Sequence, residues 1–92
     1  MRALLKTLIR LQRGEGEGRP LLAFADVTVA GTLTVRSLRV LRSKDGEPYV
    51  AFPMRRSPNG AFFEVVSPAT PKAREEIKKA VLRAFGRARG AA

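Results

Sequence analysis

Arg55 and Arg56 stand side by side immediately before Ser57-Pro58-Asn59-Gly60, a tetrapeptide with the composition of a tight turn. Two guanidinium forks presented at a strand end by a rigid turn have the chemistry to grip phosphate oxygens. Two further groups of cations accompany them. Arg36, Arg39 and Arg42 recur along one β-rich run. Near the C-terminus, Lys72, Lys79, Arg83 and Arg87 fall on one flank of a helical stretch by 100° steps, with Arg74 and Lys78 on the other. For these last charges taken alone, a solvated helix face is the better account. The loop pair is the sharper signal.

The rest of the reactive inventory is thin. The chain has no cysteine and no histidine, which removes disulfides, the common zinc and haem ligand sets, and nucleophile–histidine catalysis. Its carboxylates have ordinary places. Glu15 and Glu17 alternate with glycines, Asp45 and Glu47 flank a turn, and Glu75 and Glu76 lie near a helix start. No pair has a spacing that argues for acid–base work, so no enzyme, cofactor, metal or small-molecule substrate is expected. Gly14-x-Gly16-x-Gly18 has the look of a phosphate loop but follows no buried parallel strand and opens no helix, so it reads as a flexible connection. Over 92 residues, 18 Lys and Arg stand against 8 Asp and Glu, a net charge of +10. Thirteen of those cations are arginine, the fork suited to phosphates and base edges. With no apolar run of membrane-spanning length and no signal-peptide pattern, the expected location is the cytoplasm, where the abundant polyanions are nucleic acids.

The elements that must position these residues are well punctuated. Ala30-Gly31 separates two β-rich runs, and Asp45-Gly46 and Asn59-Gly60 mark later turns. Strands are predicted over 21–30, 32–42, 48–54 and 61–66. Within the second, Leu33 and Val35 alternate in one phase while Leu38 and Val40 alternate in the other. A period of two changes phase only where a residue is inserted, so a β-bulge is predicted near Arg36-Ser37. Residues 3–12 suit a helix through Leu4, Leu5, Leu8, Ile9 and Leu11, and suit a strand through Leu5, Thr7, Ile9 and Leu11. Local pattern leaves both open. The C-terminal helix is predicted over 70–88, with Thr70 as N-cap, Pro71 at the first position and a frayed tail over 89–92. Its stripe of Ala73, Ile77, Val81, Ala84, Phe85 and Ala88 should pack on the sheet.

One helix covers one face of a sheet, yet these strands are apolar on both. Something must cover the second face, and a second copy is the simplest cover. The expected homodimer interface comprises Leu22, Phe24, Tyr49, Phe52 and Phe62.

The run Tyr49-Val50-Ala51-Phe52-Pro53-Met54-Arg55-Arg56-Ser57-Pro58-Asn59-Gly60-Ala61-Phe62 resembles the signature of the stage V sporulation protein G (SpoVG) family. In that family an apolar-Val-Ala-Met-Pro run leads into two basic residues, a Pro-Asp-Gly turn and an aromatic. Ala25-Asp26-Val27-Thr28, Leu38-Arg39-Val40-Leu41, Ser67-Pro68, and Arg74-Glu75-x-Ile77 with Ala80-Val81-Leu82 and Phe85 are similar to its flanking segments. The likeness extends over about residues 5–87. It implies that residues 4–12 form a strand, like the family's first. It further implies an α+β domain over 1–92: an antiparallel sheet of about five strands within 4–66, one C-terminal helix on one face, and a dimer joined through strands. Family members are described as regulators of septation and sporulation that bind DNA and RNA. By position, the family's basic pair falls on Arg55 and Arg56 and its helix cations on Arg74, Lys78 and Lys79. Arg83 extends that set along the helix. Arg36-Ser37 stands where the family has His-Asp, Phe52-Pro53 where it has Met-Pro, and the +10 charge contrasts with its usually acidic helix.

The function expected is a dimeric nucleic-acid-binding regulator with no catalytic activity. The rival from another class is a protein–protein adaptor of the division machinery whose cations serve solubility. A membrane-surface role is disfavoured, because the helix's apolar stripe is needed for the core.

Overall fold

The computed structural model describes residues 5–11 and 20–91. The expected glycine connection at 14–18 lies outside them. Six strands and one helix run in the order β1 (Leu5–Leu11), β2 (Leu21–Val29), β3 (Leu33–Arg42), β4 (Pro48–Ala51), β5 (Met54–Arg56), β6 (Phe62–Glu64) and α1 (Pro71–Ala91). β1 to β4 form an antiparallel sheet in sequence order, and β5 and β6 form a separate two-stranded ribbon. The fold is α+β, with six strands in two sheets instead of about five in one. The single strand expected over 48–54 breaks at Phe52-Pro53, where Phe52 turns into the core and proline has no N–H to continue the ladder.

The turns follow their chemistry. Ala30 and Gly31 both have positive φ, 52° and 67°, and Thr32 N–H donates to Val29 O at 3.0 Å. Positive φ at both central residues makes this a primed turn, with Thr32 as a third loop residue before Leu33 pairs with Val29. The bulge expected at Arg36-Ser37 is present. Ala25 faces Leu38 while Val27 faces Val35, so Asp26 alone opposes two residues, and Ser37 takes φ 63°. A second irregularity places Leu22 as an extra residue between Leu21 and Ala23.

Thr70 caps the helix, its Oγ1 accepting from Ala73 N–H at 3.0 Å. The helix continues through Ala91, three residues beyond the expected end and across Gly86 and Gly90. It packs against β1, β2 and β4. Between them lies the core of Ala23, Ala25, Val27, Leu38, Val40, Val50, Phe52, Val81 and Phe85. No described helix is long and apolar enough to cross a membrane.

Candidate nucleic-acid interface

The Ser57–Ala61 turn is held from several directions. Ser57 N–H donates to Ala61 O at 2.7 Å and Gly60 N–H to Ser57 O at 2.9 Å. Asn59 Oδ1 accepts from Ala61 N–H at 3.1 Å and also lies against Ser57 Oγ. Gly60 sits at φ 91°, a conformation that admits glycine readily. The turn therefore sets the ribbon's register: Arg56 opposite Phe62, Arg55 opposite Phe63 and Met54 opposite Glu64.

Because strand side chains alternate, this register separates the two arginines. Arg56 shares one face of the ribbon with Phe62, its guanidinium 5.1 Å from the ring centroid. Arg55 shares the other with Phe63. Both arginines are exposed, and neither meets a carboxylate among the described residues. They straddle the ribbon and present one cation on each side of it.

The expected helix cations divide. Arg74 is not free to meet a ligand. It makes two parallel hydrogen bonds to Glu64, from Nη1 to Oε2 at 2.9 Å and from Nη2 to Oε1 at 2.6 Å. Its guanidinium also lies 4.9 Å from the Phe52 ring centroid. This bidentate pair fastens the ribbon to the helix. The hydrogen bonds from Arg74 hold the Glu64 carboxyl below the ordinary glutamate range, with a smaller contribution from the charge of Lys78. Lys78 is thus near the ribbon and half-buried, while Lys79 and Arg83 are exposed. A position 100° to 140° further round the helix than Lys78 turns Lys79 and Arg83 toward the outer face.

The expected dimer residues divide as well. Phe52 is 3% exposed and belongs to the core of the single chain, and Leu22 packs against that core. The two do not form a surface. Phe62, 63% exposed, stands on the ribbon with Phe63, Met54 and Val65. Phe24 and Tyr49 lie on the face of the main sheet that the helix leaves open, since their strand neighbours Ala23, Ala25 and Val50 face the core.

That open face carries cations that the reading of motifs did not join. Arg10, Phe24, Arg39 and Ala51 form one cross-strand row, and Lys6, Thr28 and Thr34 another. Asp26, 5% exposed, organises them. It accepts from Arg10 Nη2 at 3.1 Å, Arg36 Nη1 at 3.4 Å and the bulge N–H of Ser37 at 3.0 Å. The signal in the sequence was Asp26 itself, the single charge within Leu21–Val29. A lone carboxylate in an apolar strand needs cationic or amide partners. The described residues contain no cluster of side chains able to hold a metal ion.

With this geometry in view, the comparisons with known proteins are specific. The SpoVG family model matches residues 5–87, from the first residue of β1 nearly to the end of α1. The chain belongs to the SpoVG family. Among similar proteins is one of Listeria monocytogenes, 34% identical over 79 residues, covering 86% of this chain and 76% of that protein. Another, of Shouchella clausii, is 36% identical over 81 residues, covering 88% and 81%. A third, of Treponema denticola, is 34% identical over 79 residues, covering 86% and 83%. Each carries the name "Putative septation protein SpoVG", with the numeral 1 added for Listeria. The name shared by these SpoVG relatives speaks of septation.

Proposed function

We propose that this SpoVG-family chain is a nucleic-acid-binding regulator linked to septation, acting from the cytoplasm without catalysis. The observation that carries the reading is the exposed pair Arg55 and Arg56, free of described carboxylates, on a ribbon anchored by Arg74 and Glu64. On a chain with net charge +10, such a pair favours a polyanionic partner. Lys78, Lys79 and Arg83 extend the positive field, and Arg74 supports the ribbon from within. The link to septation rests on the names of the similar proteins.

The protein acts as a homodimer through the ribbon. Phe62 and Met54 on one face of the ribbon, Phe63 on the other and Val65 just beyond its end are exposed apolar side chains of the kind a second copy would bury. Sedimentation as a monomer at micromolar concentration would exclude this arrangement.

The test of binding is replacement of both Arg55 and Arg56 by Ala. The double variant should bind duplex DNA at least tenfold more weakly across unrelated sequences, by analogy with lost phosphate contacts, at an unchanged melting temperature. Unchanged affinity removes the phosphate grip. Absence of any binding by the parent at physiological salt favours the adaptor role.

A further inference from the structure

The open face of the β1–β4 sheet has the composition of a binding surface, and the ribbon does not account for it. Among the described residues its charged side chains are Lys6, Arg10, Arg36 and Arg39, with Asp26 as the one carboxylate. Both oxygens of Asp26 are already engaged, by Arg10 and Ser37 N–H on one and Arg36 on the other. It therefore fixes two of the cations in place and has little charge left to repel an anion. Asp26 itself lines an open concavity of about 280 Å³ together with Lys6, Leu8, Thr28, Thr34 and Arg36. The two threonine hydroxyls there are hydrogen-bonded to each other at 2.9 Å. Cations and hydroxyls around one hollow suit a phosphate group.

The same face carries aromatic rings. Tyr49 is 48% exposed on the edge strand β4, opposite Leu41. Phe24, half-buried, is capped by the Arg10 guanidinium, 5.9 Å from its ring centroid. Two strands across and two residues along, the two rings stand on the order of 12 Å apart, with Arg39 in the row between β2 and β4. Flat rings and guanidinium planes alternating with cations on an uncovered antiparallel sheet match what an unpaired strand needs. Its phosphates meet cations and its bases meet π-faces. A duplex keeps its bases stacked on each other and has no use for the rings. A second copy of this chain is a poor occupant, since it would set four cations against four of the same kind.

We propose that this sheet face binds single-stranded nucleic acid, with Tyr49 stacking on a base and Arg39, Arg36 and Lys6 holding the backbone. This rests on the nucleic-acid reading above and assigns it a second surface distinct from the ribbon. Tyr49 is the protein's one tyrosine and there is no tryptophan, so its fluorescence reports from the proposed site alone.

The experiment uses the full chain with a twelve-nucleotide mixed-sequence single-stranded RNA, its DNA equivalent and the corresponding duplex. Either single strand should quench Tyr49 fluorescence at saturation, corrected against free N-acetyltyrosinamide, while the duplex should not. The Tyr49→Ala, Arg39→Ala double variant should bind single strands about tenfold or more weakly with duplex affinity unchanged. Tyr49→Phe, which keeps the ring, should retain parental affinity. Unquenched tyrosine with a bound single strand overturns the sheet-face site, as does equal loss of single-strand and duplex affinity in the double variant. In either case a dependence of binding on Arg55 and Arg56 leaves the ribbon reading standing. If neither strand type binds the parent protein, both readings fall.

Discussion

The Glu64 carboxylate is held in its charged form first by the hydrogen bonds that Arg74 donates, with desolvation opposing and the charges of Arg74 and Lys78 assisting. A carboxyl whose folded pKa is depressed contributes stability above its unfolded value of about 4.3 and loses it as pH falls through the folded value. The protein should therefore lose part of the ribbon's anchorage in acid. Urea unfolding at about pH 5 and about pH 3 should show a smaller acid penalty for Glu64→Gln than for the parent. Equal penalties would mean that the pair does not titrate with folding. Arg74 also shows where sequence reading stops at this scale. Its charge and helical position were legible, but its partner lies ten residues away on another element, and only the packed chain sets the two forks face to face. Asp26 was the converse case, a lone charge in an apolar strand that the sequence reading passed over and whose partners Arg10 and Arg36 come from strands on either side.

Local rules carried furthest for the elements. The phase change along Leu33–Arg42 located the bulge, because a two-residue period has no other way to reverse. Thr70 and Pro71 located the helix start for similarly local reasons. The N-terminal strand was not locally decidable. Its extended form follows from pairing of its whole length, Leu5–Leu11, with residues 23–29 of β2, a non-local gain that overrides an adequate helical pattern. The break at Phe52-Pro53 was hidden within a continuous apolar run, and the helix overran its expected end because glycine only weakens a helix. Two changes test these elements. Ala30 occupies a positive-φ position that favours asparagine before glycine, so Ala30→Asn should stabilise the protein by about 0.5–1 kcal/mol in denaturant titration. A loss of stability there would argue against the primed turn. Phe85, buried between helix and sheet, should cost about 3–5 kcal/mol when replaced by Ala, read as a lowered denaturation midpoint. A change below about 1 kcal/mol would mean that the helix does not pack there.

In the molecule as a whole, one helix closes one side of the sheet, and no other described element covers the opposite face. The apolar surplus gathers on a ribbon and the cations spread over both. The excess of positive charge was plain in the sequence, and so was the Arg55–Arg56 pair; their divergence to opposite faces of the ribbon needed the strand register. A salt titration of duplex DNA binding by fluorescence anisotropy decides whether this charge serves nucleic-acid binding. If about six phosphates are neutralised per dimer, log K should fall against log salt with a slope near −5, and replacing Arg55 and Arg56 by Ala in each protomer should make the slope markedly shallower. A slope near zero, or binding that vanishes below physiological salt, would contradict that role and leave the cations as solubilising charge.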